Sequence, residues 1–399
     1  MAQALGPAIP LAPWADHRLE ELAAATGSPR IAELDGATLL GERGSANHFT
    51  INGKRSAGIG GSRLMPTRDG GWFALTLLRP VDRELLPALF LDEALDTADD
   101  AAVERAALRH DCGELVARGR LLGLPVASAD ETPVSPPAEI LCRGPFRQHD
   151  PGSRPLVIDL SAIWAGPLAG HLLWLAGAEV VKVESLTRPD LIRRDDPATF
   201  ELINQGKANV LLDFANAEEK AALIALMRGA DFVIESSRLR ALRQLGIDAD
   251  AMVRETPGLV WLSVTGHGAS GEAANWAGIG NDCGVAAGLS RAMADADGAI
   301  GYVGDAIADP LTGITAALEG WRAYAAGEAL RIGLSMSAIT AQALRDERER
   351  DPAGLEADLR GWASAVGQPF PKVRRRPMYA QTRPLGADTT RYLSTLARC

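Results

Sequence analysis

From residue 156 onward, short apolar runs alternate with segments whose charges recur at helical spacing. Leu156–Leu160, Glu179–Glu184, Asn209–Phe214, Asp231–Glu235 and Leu259–Thr265 are apolar at almost every position, as strands covered on both faces are. Between them, Leu168–Leu175 reads as a buried helix and Glu218–Met227 as a helix with a charged outer face. Arg238–Leu245 and Asp250–Glu255 read as two further helices. Leu311–Ala326 is a strong helix, and Arg331–Ser335 is the expected last strand. Strand–helix–strand alternation of this kind predicts a largely parallel sheet with right-handed crossovers. The fold class expected is therefore α/β: a Rossmann-like parallel sheet with flanking helices, plus a smaller α+β domain.

The smaller domain is read from the first part of the chain. Residues 1–40 look helical and irregular, and a glycine cluster follows at residues 58–61. Trp72–Leu78 predicts a strand, Asp82–Leu91 a helix, and Val103–Leu122 a helical stretch that stops at Gly123. The segment DETPVSPPAEILCRGPFRQHDPGSRP is rich in proline and charge and has no clear period, which reads as a linker. The expected boundaries are 1–130 for the small domain with its glycine loop, 131–155 for the linker, and 156–399 for the main domain with its C-terminal tail.

Composition narrows the partners. The chain has 399 residues, 47% of them hydrophobic, which fits one large or two medium globular domains. Uncharged apolar stretches long enough to span a bilayer are absent, and the N-terminus lacks the basic–apolar pattern of a signal peptide. No membrane association is therefore expected. A formal net charge of -10 argues against nucleic acid as a partner. The four cysteines are far apart and form no CxxC pair, so no metal site is expected and a cytoplasmic location is.

The first strand–loop–helix, Asp159-Leu-Ser-Ala-Ile-Trp-Ala-Gly166-Pro-Leu-Ala-Gly170, lacks the GxGxxG fingerprint, which disfavours a dinucleotide site. Asp309, followed by Pro310 and an apolar-periodic helix, reads locally as an N-cap with proline at the first helical position.

Taken together in order, these segments resemble the family III CoA-transferases, the formyl-CoA transferase-like proteins. IDLSAIWAGPLAGHLLWLAGAEVVKVE is similar to the opening of that family. Asn204-Gln-Gly-Lys207, Ala230-Asp-Phe-Val-Ile-Glu235, Ser263-Val-Thr-Gly266, Asn281-Asp282 and Asp305-Ala-Ile-Ala-Asp309 look like its later motifs. The tail Pro384-Leu-Gly-Ala-Asp-Thr389 looks like its terminal one. The resemblance implies that Asp309 is a covalent nucleophile. It would be kept ionised by helix N–H groups while it attacks an acyl-CoA to give a mixed anhydride and then an aspartyl-CoA thioester. It further implies that Gly60 and Gly61 belong to a loop covering the site. CoA would lie along Ile163, Trp164, Ala165, Arg188, Lys207, Leu212, Ser236, Ser237, Arg238 and Asn281. Coenzyme A is then a substrate and no cofactor is tightly bound. The partners implied are an acyl-CoA, a carboxylic acid and a second copy of the chain in a homodimer.

Departures from the family pattern accompany the match. The small domain precedes the main domain instead of following it. Ser236-Ser237 replaces the family's Asn-Phe, with Arg238 retained in kind. Arg193 and Arg194 are further candidates to face CoA phosphates. A racemase branch of the same fold uses a histidine where this chain has Asn281, and asparagine cannot act as that base. The alternatives to CoA transfer are a racemase or lyase of the same fold and a non-catalytic CoA-binding paralogue.

Overall fold

The computed structural model describes residues 6–56, 61–150, 152–237 and 239–396. Among them the strands are, in chain order, β1 (Arg63–Pro66), β2 (Trp72–Leu75), β3 (Val126–Ser128), β4 (Ala138–Arg143) and β5 (Leu156–Asp159). They continue as β6 (Glu179–Ser185), β7 (Ala208–Leu212), β8 (Phe232–Glu235), β9 (Val260–Thr265) and β10 (Leu330–Ser335). β4 to β10 form one sheet in the order β4-β10-β9-β8-β5-β6-β7. Every pair in it is parallel except β4, which runs antiparallel to β10. From β5 the chain moves outward through β6 and β7, then returns and moves the other way through β8, β9 and β10. This reversal leaves a crevice at the carboxyl ends of β5 and β8, the place where open α/β sheets bind ligands.

Helices cover both faces, so the strands carry almost no alternation: β5, β8, β9 and β10 are buried along most of their length. One face holds the helices Ala165–Leu175 and Ala308–Ala325, which pack tightly against each other. A Cβ at Gly313 would lie 2.8 Å from the carbonyl oxygen of Ala165, so glycine is what lets the two helices approach.

The N-terminal helices belong to this core. Leu11, Trp14, Leu19, Leu22, Leu39 and Leu40 share one buried cluster with Leu168, Leu172, Leu311 and Leu318. The expected boundary at 130 is therefore corrected: residues 6–46 pack with the main sheet, and the separate module begins near residue 50. The expected linker 131–155 contains β4. That strand lies at the sheet edge with alternately exposed positions, and its weak apolar signal made it read as coil.

The small module is the antiparallel sheet β1-β2-β3. Met65, Phe73, Leu75 and Val126 on one face pack under its own helices, including Cys112–Leu122. Leu64, Ala74 and Ala127 on the other face pack against Val285, Ala286 and Tyr302 of the main domain. The helical stretch expected over Val103–Leu122 consists of two helices, Asp100–Ala107 and Cys112–Leu122, because Asp111 starts a new helix. Asp82–Leu91 likewise divides into two short helices, Pro80–Glu84 and Leu86–Phe90.

At the opposite edge, the tail motif satisfies the free side of β7. The Asn209 N–H donates to Asp388 Oδ2 at 3.0 Å, and the Leu211 N–H donates to Thr389 Oγ1 at 3.0 Å. No described helix is long and apolar enough to cross a membrane.

Candidate active site

The loop that leaves β5 is held by buried ion pairs. Lys207 Nζ donates to Asp159 Oδ2 at 2.8 Å, to Pro167 O at 2.7 Å and to Asn204 Oδ1 at 3.0 Å. Lys182 Nζ pairs with Asp190 at 2.9 Å and donates to Ser161 O at 2.9 Å. Asp190 in turn accepts from the Ile163 N–H at 3.1 Å. Ile163 has a φ of 73°, a left-handed conformation that a β-branched residue rarely adopts. The network thus holds a strained turn, and that turn presents the first N–H groups of the helix Ala165–Leu175.

Those groups meet Asp309. The Ala165 N–H donates to Asp309 Oδ1 at 3.3 Å, across the close contact that Gly313 permits. Asp309 sits in the first turn of its helix but is not the N-cap expected from the Asp-Pro pair. The helix begins at Ala308, capped by Ile307. The preceding turn runs straight into it, with Ala306 at a φ of 48° and its carbonyl accepting from the Asp309 N–H at 2.9 Å. Pro310 still falls within the first turn, where its missing N–H costs nothing.

Asp309 is only 5% exposed. Burial pushes its pKa up to about 7, against the opposing pull of Arg43 and the Ala165 N–H, with Asp305 and Asp282 adding to the rise. The expectation that helix N–H groups keep it ionised is therefore met only in part. At neutral pH the group is divided between carboxylate and acid.

Two cavities meet at Asp309. The larger, about 170 Å³, lies at the β5/β8 crevice and is lined by Ala162, Ile163, Ala165, Ser236, Ser237 and Trp276, among others. The smaller, about 30 Å³, is lined by Arg43, Thr76, Ile163, Trp164, Asn281 and Asp309, among others. A broader cleft of about 860 Å³ lies between the Cys112–Leu122 helix and the segment Glu272–Trp276. Trp276 separates it from the Asp309 cavity, and the Arg120 guanidinium stacks 3.8 Å from the Trp276 ring centroid.

Most of the expected residues gather here. Ile163, Ala165, Ser236 and Ser237 line the larger cavity, and Trp164 and Asn281 line the smaller. Asn281 donates to Ser62 Oγ at 3.2 Å and accepts from the Ala306 N–H at 3.0 Å. Ser62 follows the glycine cluster directly, so that end of the cluster is hydrogen-bonded to the site within one chain. Gly61 has a φ of 50°, a conformation suited to glycine, but it lines neither cavity. Gly60 and Arg238 lie outside the described residues.

Other expectations are corrected. Lys207 is 1% exposed and spends its three N–H groups on buried acceptors, so it has none for a phosphate. Burial brings its ammonium down to about 8. Leu212 is fully buried in the core on the other face of the sheet. Arg193 pairs with Glu184, and Arg194 is an exposed partner of Asp195. Arg188 remains exposed beside the carboxyl end of β6 and is still available to a ligand. Arg376, from the C-terminal tail, is buried against Glu42.

Arg43 is the site residue that sequence reading missed. It comes from the helix Gly36–Ala46, more than 260 positions before its partner Asp305, and no local pattern marks it. Gly280 is a second: a Cβ there would overlap Asp309 Oδ2 and lie 2.6 Å from Ala306 O.

Residues 155–344 match the sequence model of CoA-transferase family III. That match spans just under half of the chain. Among its relatives, a succinate–glutarate CoA-transferase of Agrobacterium fabrum is 32% identical over 171 residues, which are 40% of this chain and 43% of that protein. A succinyl-CoA:mesaconate CoA-transferase of Haloarcula hispanica is 32% identical over 125 residues, 28% of this chain and 31% of that one. The chain spans less than half the length of the curated relatives it matches. Among solved structures, a CAIB/BAIF family protein from Brucella suis is similar over 52% of this chain and 58% of that one, at 27% identity and a TM-score of 0.46. The family III segment contributes Asp309, Gly280, Asn281 and the β5 loop. Arg43 and Ser62 come from outside it.

Proposed function

We propose that the protein moves CoA from an acyl-CoA to a free carboxylic acid, with Asp309 as the nucleophile. The observation that carries this reading is the Asp309 carboxyl group. It is buried, faces an N–H at a helix start, and sits at the inner end of the crevice where the sheet reverses. The match of the surrounding segment to the CoA-transferase family III model supports the same reaction class.

In the first step an Asp309 oxygen bonds to the thioester carbon. The C–S bond then breaks, and its electron pair leaves with sulfur as the CoA thiolate. The product is a mixed anhydride. The thiolate next attacks the aspartyl carbon and expels the donor acid, giving an aspartyl-CoA thioester. The acceptor carboxylate reverses both steps. Burial protects the anhydride from water. It also raises the pKa of Asp309, so the reactive carboxylate fraction grows as pH rises through about 7. CoA enters along Ala162, Ser236 and Ser237, with Arg188 near its phosphates. The named relatives act on short dicarboxylic acids and their CoA esters, which makes succinyl-CoA with glutarate a suitable first pair to assay.

Asp309→Asn keeps the size of the side chain and removes the nucleophile. The expected outcome is a loss of CoA transfer of at least about 10⁴-fold, with CoA still bound, as for other essential groups of a catalytic unit. Turnover by this variant at the wild-type rate refutes the reading. Exchange of the acyl α-proton with solvent deuterium, in the absence of any acceptor acid, would point instead to a racemase.

A further inference from the structure

One cation lines the two cavities at Asp309 among the described residues, and it is Arg43. Its guanidinium is clamped from two sides. Nε donates to Asp196 Oδ2 at 2.9 Å, and Nη1 donates to both oxygens of Asp305 at 2.8 and 2.9 Å. The plane lies near the rings of Phe49 and Trp164, at 5.3 and 5.5 Å. Nη2 has no hydrogen-bond partner among the described residues. Nη2 is not sealed in the interior, so it is open to a small group in the cavity that Arg43 lines. The cavity that Arg43 shares with Asp309 is about 30 Å³, enough to admit a water-sized group.

We propose that Arg43 binds substrate, donating from Nη2 to the acyl oxygen of the thioester while Asp309 attacks its carbon. The inference rests on the acyl-transfer reading of Asp309. As the bond from Asp309 to the acyl carbon forms, the carbonyl π pair moves onto the oxygen that faces Arg43. It returns when the C–S bond breaks and sulfur takes its own pair. No proton changes hands, so a group that stays charged is the suitable donor. The two anchors, Asp196 and Asp305, are within the family III segment, whereas Arg43 is not. The N-terminal helix thus completes a centre that the segment 155–344 leaves short of a cation.

The groups acting on Asp309 are Arg43 from its helix, Asp305 from the preceding turn, Asp282 from the helix Gly280–Ala286, and the Ala165 N–H. Because Asp196 and Asp305 would be left unpaired by loss of Arg43 alone, the test replaces all three groups together, as R43M/D196N/D305N. Neutralising a whole buried cluster preserves folding better than removing one partner. The rate of Asp309 acylation by succinyl-CoA is read by hydroxylamine trapping, beside the affinity for free CoA by calorimetry. The expected result is acylation slowed by about 10²-fold or more with CoA affinity unchanged, the size of effect seen when one oxyanion donor is lost. R43K keeps the charge but loses the fork, and falls by at least about tenfold. If the triple variant does not fold, R43K alone decides, and its acylation at the wild-type rate overturns the inference. Wild-type acylation by a folded triple variant overturns it as well, while leaving the role of Asp309 intact. A wild-type protein that forms no Asp309 adduct overturns both.

Discussion

Gly280 and Asp309 show how little room the buried carboxyl group has. A methyl group at 280 would overlap Asp309 Oδ2 and press on Ala306 at 2.6 and 2.8 Å. Gly280→Ala should therefore displace the carboxyl group and cost about 10²-fold in transfer rate, with an overpacking penalty of about 1–3 kcal/mol. Steady-state kinetics beside thermal unfolding separates the two effects. The raised pKa of Asp309 makes a second, independent prediction. Its folded value is about 7 against an ordinary value of 3.8, so the folded state holds a proton that the unfolded state releases. That contribution to stability is fully present below the ordinary value and is lost as pH rises toward 7. Asp309→Asn removes the loss. The variant should gain stability over wild type by a few kcal/mol, roughly 4 at most, above about pH 7, and show no gain near pH 3. Denaturant unfolding across that range checks it. At this scale the sequence marked Asp309, Asn281 and the Ser236-Ser237 pair through their motifs. It could not mark Arg43, whose ion pairs with Asp196 and Asp305 exist only once three distant segments meet. It misplaced Lys207, because a lysine beside a turn looks the same in sequence whether it faces solvent or a buried aspartate.

Strands with uninterrupted apolar runs were legible within a few residues: β5, β6, β8, β9 and β10 all lie where the pattern puts them. β4 was not, since an edge strand with one solvated face carries half the apolar signal and this one sits among prolines. The helical character of the N-terminal segment is legible in the sequence, but its packing partner is not. Its buried leucines state that a partner exists without stating which one. Leu39, fully buried in the shared cluster, tests the corrected assignment. Leu39→Ala should cost about 2–5 kcal/mol. The loss should appear in the unfolding of the main sheet, followed by hydrogen exchange of β5 and β6. A destabilisation confined to the β1-β2-β3 module would contradict it.

Across the whole molecule, the site is assembled from four sources. The parallel sheet supplies the crevice through its strand order, the N-terminal helix supplies Arg43, and the Asp309 helix supplies the buried carboxyl group. The small module reaches the same place through Ser62 and Thr76, which contact Asn281 and Asp282. The strand order follows from the alternation of elements, so the fold class was legible; the docking of the module was not, because Leu64, Ala74 and Ala127 meet Val285 only in three dimensions. The central claim is that Asp309 becomes covalently joined to substrate during transfer. An acceptor acid carrying heavy oxygen in its carboxylate tests this directly. As the acceptor passes through the anhydride and leaves as its CoA ester, one labelled oxygen should remain on Asp309. Mass spectrometry of the peptide containing residue 309 should then show the label after turnover with succinyl-CoA and the labelled acid, and show none when CoA ester is omitted. Transfer of CoA with no label on that peptide would contradict the account.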